Sequence, residues 1–340
     1  MSALHALLAG PLGGFGATLL VGVVGIMGYL TFNVLFLIWL ERKVAGHIQR
    51  RLGPMEVGPH GVLQTVADML KLLGKQLLTP VATDRFVYLL APLLVFLPTM
   101  CVASLIPLGR AQAFADMPYG LIIIVTLSGL TVLAIFMAGW ASNNKYAVLG
   151  GMRSVAQVVA YEIPVLLAVL SVVLVAGTTN LHQLVTNPWP RLLGVPVPYG
   201  VVEPLAAVIF FIGITAETNR APFDIPEAES ELVGGFHTEY SGMRFAMFFF
   251  AEYTNMLVLG ALGATLFLGG FRGPFQGAVP LLGPVYLLLK TYLVVFVMMW
   301  ARWTFPRLRF DQLMSFAWKL LIPLALANLV ATAVVLGVLA

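Results

Sequence analysis

Eight apolar segments, each near the length of a membrane-spanning helix, constrain this chain more than any other feature. They fall at about 17–40, 86–108, 119–141, 155–177, 201–218, 245–268, 285–303 and 320–339. A helix rises about 1.5 Å per residue, so roughly 20 apolar residues cross the hydrocarbon core of a bilayer. Lipid offers no partners to backbone amides, so such stretches must fold as helices, which satisfy their own hydrogen bonds. Composition supports this reading: 60% of the 340 residues are hydrophobic and 10% are charged. A soluble protein carries about 25% charged residues and could not bury this much apolar surface. The expected fold is all-α and integral to the membrane: one domain over 1–340, with about eight transmembrane helices and an amphipathic surface helix. The apolar N-terminal segment lacks a basic flank and is long enough to span, so no cleavable signal peptide is expected.

The basic residues are distributed unevenly along the chain. The first loop, 41–85, holds Arg42, Lys43, Arg50, Arg51, Lys71, Lys75 and Arg85; later odd-numbered loops hold Lys145, Arg153, Arg220, Arg244, Arg302, Arg307, Arg309 and Lys319. The even-numbered loops hold only Arg110, Arg191 and Arg272, and Lys290 lies inside a span. Lys and Arg are retained on the cytoplasmic side. Odd loops are therefore expected in the cytoplasm, with both termini across the membrane. The net charge of +4 is a topology signal, not a phosphate-binding stripe, and nucleic acid is not an expected partner.

Within the first loop, Val62, Val66, Met69, Leu70, Leu73 and Leu77 recur at helical spacing, while Gln64, Asp68, Lys71 and Lys75 occupy the opposite face. This pattern predicts an amphipathic helix over 60–77, too polar to span and suited to the membrane surface.

Acidic residues stand where lipid should exclude them. A carboxylate at the centre of a spanning helix costs about 2.5–3.5 kcal/mol or more, and such residues usually face a bundle interior and serve transport. Glu162 lies in the fourth segment, Glu217 at the end of the fifth and Glu252 inside the sixth. Between the last two, Asp224, Glu227, Glu229, Glu231 and Glu239 crowd a loop whose only basic residues, with its flanks, are Arg220 and Arg244. Pro222 and Pro226 prevent a regular helix there. Irregular backbone at membrane depth is tolerated where it is buried in protein or lines a cavity. The loop over 216–244 is thus expected to fold back and build a polar chamber, although a solvated loop would carry the same acids.

One cysteine, Cys101, supports neither a disulfide nor a thiolate-ligated cluster, and none of the five histidines falls in a long apolar stretch. No metal site and no resident redox cofactor are expected.

The blocks ERKVAGHIQRRLGP (41–54), SNNKYAVLGGMRSVAQVVAYE (142–162), AETNRAPFDIPEAESELVGGFHTEYSGM (216–243) and RLRFDQLMSFAWK (307–319) resemble the H-subunit family of bacterial NADH:quinone oxidoreductase, respiratory complex I. The mitochondrial counterpart is that complex's first core membrane subunit. The resemblance implies a proton-pumping oxidoreductase subunit of the bacterial inner membrane. Its partners would be the hydrophilic arm and the small and antiporter-like membrane subunits. NADH, FMN and iron–sulfur clusters would belong to partner subunits, with ubiquinone or menaquinone as substrate. It implies a quinone passage involving Arg42, Arg51, Asp68, Arg220, Phe223 and Asp224. It also implies a proton path through Glu162, Glu217, Asp224, Glu227, Glu229, Glu231 and Glu252. Met55, His60 and Gln76 depart from the family pattern at the entrance. A related hydrogenase or formate hydrogenlyase subunit would share the acidic loop. A stand-alone cation transporter would show internal repeats, which the sequence does not contain.

Overall fold

The computed structural model describes residues 13–109, 115–187, 189–192, 195–226, 232–274, 276 and 279–339. Helices dominate. In chain order they are α1 (Gly13–Ile48), α2 (Gln64–Gly74), α3 (Arg85–Leu105), α4 (Gly120–Ala141), α5 (Lys145–Ala176), α6 (Leu181–Thr186), α7 (Tyr199–Val202), α8 (Pro204–Glu217), α9 (Gly242–Phe267), α10 (Leu282–Thr304), α11 (Phe310–Phe316) and α12 (Ile322–Leu339). A single π turn, Ala317–Leu321, joins α11 to α12. Beyond these helices, Arg191–Leu192 and Val195–Pro196 pair as a minimal antiparallel ladder.

Among the described residues, seven helices are long and apolar enough to cross a membrane: α1, α3, α4, α5, α9, α10 and the run Phe310–Val338. The remaining apolar segment, fifth in the chain, is α8, whose 14 residues extend only about 21 Å. That is short of the roughly 30 Å of a hydrocarbon core; the short helix α7 precedes α8, with only Glu203 between the two. The chain is an integral membrane protein.

Several helices extend beyond their apolar segments. Helix α1 continues to Ile48, so Glu41, Arg42 and Lys43 are helical. Helix α5 begins at Lys145, capped by Asn144 Oδ1, which accepts from Tyr146 N at 3.0 Å. Asn and Asp favour this position because a short side chain there satisfies an orphan amide. Arg153 therefore lies on the helix and not in a loop. The predicted surface helix is shorter than 60–77: Pro59–Gly61 forms a 3-10 turn with His60 at φ 54, and the α-helix runs only from Gln64 to Gly74.

Helix α3 packs on α4, α4 on α5, and α5 on α8 and α12, while α9 packs on α3, α10 and α1. Small residues set the closest approaches. A Cβ on Gly213 of α8 would lie 2.1 Å from Val165 Cγ2 of α5. The main buried cluster gathers residues of α1, α5, α8, α9, α10 and α12. A second one, built on Tyr88, Ala138, Phe236, Tyr240 and Phe248, sits under the acidic loop.

Candidate functional site

The site is built where the end of α1, the loop after α8, the middle of α9 and the end of α10 converge. Arg220, in that loop, is 5% exposed. Its guanidinium lies 3.1 Å from Glu41 Oε1 on α1 and 3.0 Å from Glu252 Oε1 on α9. Arg302, from α10, makes a second ion pair to Glu41. The guanidinium carbon of Arg220 stands 4.4 Å from the centre of the Tyr253 ring. Two carboxylates and two guanidiniums thus form a charge-balanced cluster. Balance is required there, because an isolated buried charge costs far more than a neutral polar group. Burial alone would lower the Arg220 pKa, but the Glu252 and Glu41 carboxylates hold it above the usual arginine value.

Two cavities flank this cluster. One, about 370 Å³, is walled by Ser128, Thr131, Glu217, His237, Glu252 and Arg302, together with apolar residues. The other, also about 370 Å³, is walled by Glu41, Arg42, Arg51, Tyr253, Arg302 and Trp303. Arg302 lines both.

The loop between α8 and α9 folds into the protein. Asn219, Arg220, Phe223, Ile225, Leu232, Phe236 and Tyr240 are all buried. Gln157 of α5 is fully buried and holds the loop's start: Nε2 donates to Ala216 O at 2.9 Å and to Phe223 O at 2.8 Å. Phe223 packs on Tyr161, ring centres 5.3 Å apart, and lines neither cavity. Asp224 pairs with Arg307 at 2.9 Å. Farther along, Asn144 Nδ2 donates to Glu239 Oε1 at 2.6 Å. Tyr240 stacks on Tyr88, with ring centres 4.2 Å apart. The chain leaving α2 is tied to this loop as well: Leu78 N donates to Ser241 Oγ at 3.0 Å, and Arg244 Nη1 to Thr79 Oγ1 at 2.7 Å.

Of the residues singled out in the sequence, Glu217 and Glu252 meet at the first cavity, and Arg42 and Arg51 at the second. Arg42 also pairs with Asp68 at 2.6 Å, fastening α1 to α2. Glu162 is half-buried and accepts from Ser128 Oγ at 3.3 Å. Ser128 itself lines the first cavity. Glu227, Glu229 and Glu231 lie outside the described residues. Lys290 sends its amine to Gly270 O at 2.8 Å and Arg272 O at 2.7 Å.

Three residues of the site are not singled out by the sequence pattern. Glu41 is hidden by the basic residues after it, which make it look like a solvated helix end. Arg302 reads as a topology signal. His237 lies in a polar stretch, yet it packs between Phe236 and Phe245, with ring centres 5.1 and 5.3 Å away. Burial pushes its imidazole pKa down, opposed by the Glu252 carboxylate. Among the described residues, no group of three His, Cys, Asp or Glu could hold a metal ion.

Fold and site together define a multi-pass helical membrane protein organised around a buried, charge-balanced cluster between two polar cavities. A family model described as NADH dehydrogenase matches residues 21–333. The chain is similar to the H subunit of NADH-quinone oxidoreductase from Geobacillus thermodenitrificans, with 49% identity over 95% of this chain and 93% of that protein. The corresponding H subunit of Dehalococcoides mccartyi is 45% identical over 94% of this chain and 87% of its own length. That of Carboxydothermus hydrogenoformans is 44% identical over 92% and 88%. The chain therefore belongs to the NADH dehydrogenase family, among the H subunits of NADH-quinone oxidoreductase.

Proposed function

We propose that this chain is the membrane subunit that forms the quinone chamber of a proton-pumping NADH:quinone oxidoreductase and begins its proton-transfer path. The observation that carries this reading is the Glu41–Arg220–Glu252–Arg302 cluster set between two cavities. Reduction of a quinone to a quinol takes up two electrons and two protons. Electrons would come from the iron–sulfur chain of the hydrophilic arm, fed by NADH and FMN on partner subunits. On this reading Arg42, Arg51 and Asp68 form the entrance, while Arg220 and Asp224 act on the passage through the ion pairs that hold its walls. Phe223 acts by positioning the loop. The proton path comprises Glu162, Glu217, Asp224, Glu227, Glu229, Glu231 and Glu252.

The physical basis is charge coupling. Adding a proton to one carboxylate of a balanced cluster, or taking one from a neutral carboxyl group beside it, leaves a net charge in a low-dielectric site, and its neighbours feel this strongly. Glu217 and Glu252 share a cavity wall, so a charge change at one bears on the other. The odd-numbered loops would face the cytoplasm, where the hydrophilic arm docks, and both termini the periplasm. The neighbouring small and antiporter-like subunits would continue the path. Relatives named as H subunits of NADH-quinone oxidoreductase favour this reading over a hydrogenase component.

The test is quinone reductase activity and membrane-potential generation in assembled complexes carrying Glu217→Gln or Glu252→Gln. The amide keeps size and hydrogen bonding but removes the titratable proton. Turnover should fall roughly 10–100-fold, about 1.4–2.7 kcal/mol of barrier. Wild-type rates and potential in both variants, with normal assembly, would remove the proton-path role.

A further inference from the structure

On the face opposite the acidic loop, Arg272 and Lys290 make no ion pair among the described residues; their side chains bond to backbone carbonyls. Helix α8 runs from Pro204, preceded by Glu203, to Glu217, and α9 ends at Phe267; Glu203 and the turn after α9 therefore lie on that far side. The loops there contain two acids, Asp116 and Glu203. Both are held by neutral donors. Asn180 Nδ2 donates to Asp116 Oδ1 at 2.9 Å, and Asn328 Nδ2 and Thr332 Oγ1 donate to Glu203 at 2.9 and 2.8 Å. Neither acid pairs with a cation among the described residues.

Arg272 and Lys290 converge on the turn Leu268–Gly273. Glycines shape it closely. A Cβ on Gly269, at φ +75, would lie 2.2 Å from the Trp189 ring, and one on Gly273 would lie 2.4 Å from the Tyr286 ring. Only a residue without a side chain lets the backbone lie flat against both aromatics. Trp189 in turn faces Arg272, whose guanidinium carbon is 4.7 Å from its ring centre. One described hydrogen bond uses that guanidinium, Nη1 to Asn187 O at 3.4 Å, out of five N–H donors it carries. The indole Nε1 of Trp189 is buried and has no hydrogen-bond partner among the described residues, so the ring serves as the surface on which the Arg272 guanidinium lies. Lys290 adds a second positive charge through its bonds to Gly270 O and Arg272 O.

We infer that Arg272, with Lys290 and Trp189, forms a binding site for the phosphate of an anionic phospholipid headgroup in the leaflet opposite the acidic loop. Guanidinium forks match phosphate oxygens with paired, charge-assisted hydrogen bonds. Trp and Tyr favour the headgroup level, where one end of the ring is apolar and the other wet. Basic pockets between helices recognise anionic headgroups in this way. The turn joins two candidate spanning helices, following the end of α9 and preceding α10.

The experiment places the assembled complex in phosphatidylcholine nanodiscs doped with phosphatidylglycerol bearing a photoreactive acyl chain. Crosslinks to α10 and the preceding turn are read by mass spectrometry. Excess unlabelled phosphatidylglycerol should abolish the crosslink, while excess phosphatidylcholine or inorganic phosphate should leave it. Arg272→Gln should lower labelling about tenfold. Equal competition by phosphatidylcholine, or competition by inorganic phosphate, overturns the lipid assignment. So does undiminished labelling of an assembled Arg272→Gln complex. The competition needs no variant, so the test stands even if that substitution blocks assembly.

Discussion

Arg220 and Glu41 are 179 residues apart in the chain, yet their side chains form a buried ion pair at 3.1 Å. The pair joins the end of the first spanning helix to the loop after the fifth apolar segment. Glu252, 3.0 Å from the same guanidinium, brings in α9, and Arg302 brings in α10. Four segments distant in sequence are therefore held by one cluster of alternating charge.

Removing the central cation should be severe. Arg220→Met removes the cation that sits between Glu41 and Glu252 and leaves Arg302 alone to offset Glu41. Breaking a buried pair by deleting one partner costs about 3–5 kcal/mol. The expected outcome is a complex that assembles poorly or melts well below wild type. Arg220→Lys keeps the charge but loses the fork, so it should fall between. Thermal melting of the purified complexes, read by intrinsic fluorescence, decides the order.

The surface pair behaves differently. Arg42 and Asp68 are 42% and 35% exposed, and exposed pairs contribute about 0–1 kcal/mol. Arg42→Gln should leave the melting temperature nearly unchanged at physiological salt. Any loss of turnover in that variant must then come from the passage itself, seen as a change in quinone KM. A large drop in stability would contradict this assignment.

His237 gives a pH dependence of defined sign. Burial lowers its pKa in the folded protein below the value of about 6.5 expected when unfolded. The unfolded chain then binds more protons around pH 6, so stability is present above that range and lost as pH falls through it. Melting temperature should decline between about pH 7 and pH 5. His237→Gln should flatten the decline without abolishing it, since other groups titrate there. Parallel pH profiles for wild type and variant would show that this histidine is not the responding group.

Glu203 fastens α12 to the start of α8. Thr332→Val removes the hydroxyl that donates to Oε1 at 2.8 Å and leaves a buried carboxylate partly unsatisfied. The expected loss is about 1–3 kcal/mol. Thr332→Ser, which keeps the donor, should restore most of it, as judged by resistance of the complex to detergent-induced unfolding.

The membrane topology can be tested from the C-terminus. A reporter active only in the cytoplasm, fused after Ala340, should stay inactive, and one fused in the 50–55 turn should be active. The opposite pattern would invert the orientation drawn from the Lys and Arg distribution.

Much of the architecture is legible in the sequence because lipid leaves the chain few choices. Apolar segments of spanning length must be helices, so their order follows from hydropathy alone, and so does the oddity of Glu162, Glu217 and Glu252 within them; that the fifth is too short a helix to rank with the other seven does not. Helix ends are less legible. Glu41, Arg42 and Lys43 look like a solvated loop, yet α1 continues through them to Ile48, because packing and not polarity decides where a helix stops. Similarly, His60 and Gly61 fit the amphipathic pattern, but their left-handed backbone at φ 54 and 72 excludes them from α2.

What the sequence by itself determined is the set of elements and the presence of acids that lipid alone would not tolerate. The tertiary structure decided how those charges are compensated. An ion pair depends on distances of a few ångströms between groups far apart in the chain, and no periodicity encodes such distances. Glu41 acquires its role only because Arg220 and Arg302 reach it. Asp224 meets Arg307, not the nearer Arg220. Lys290, a cation that the sequence places inside a span, turns to two backbone carbonyls, because the glycine-rich turn after α9 leaves them within its reach.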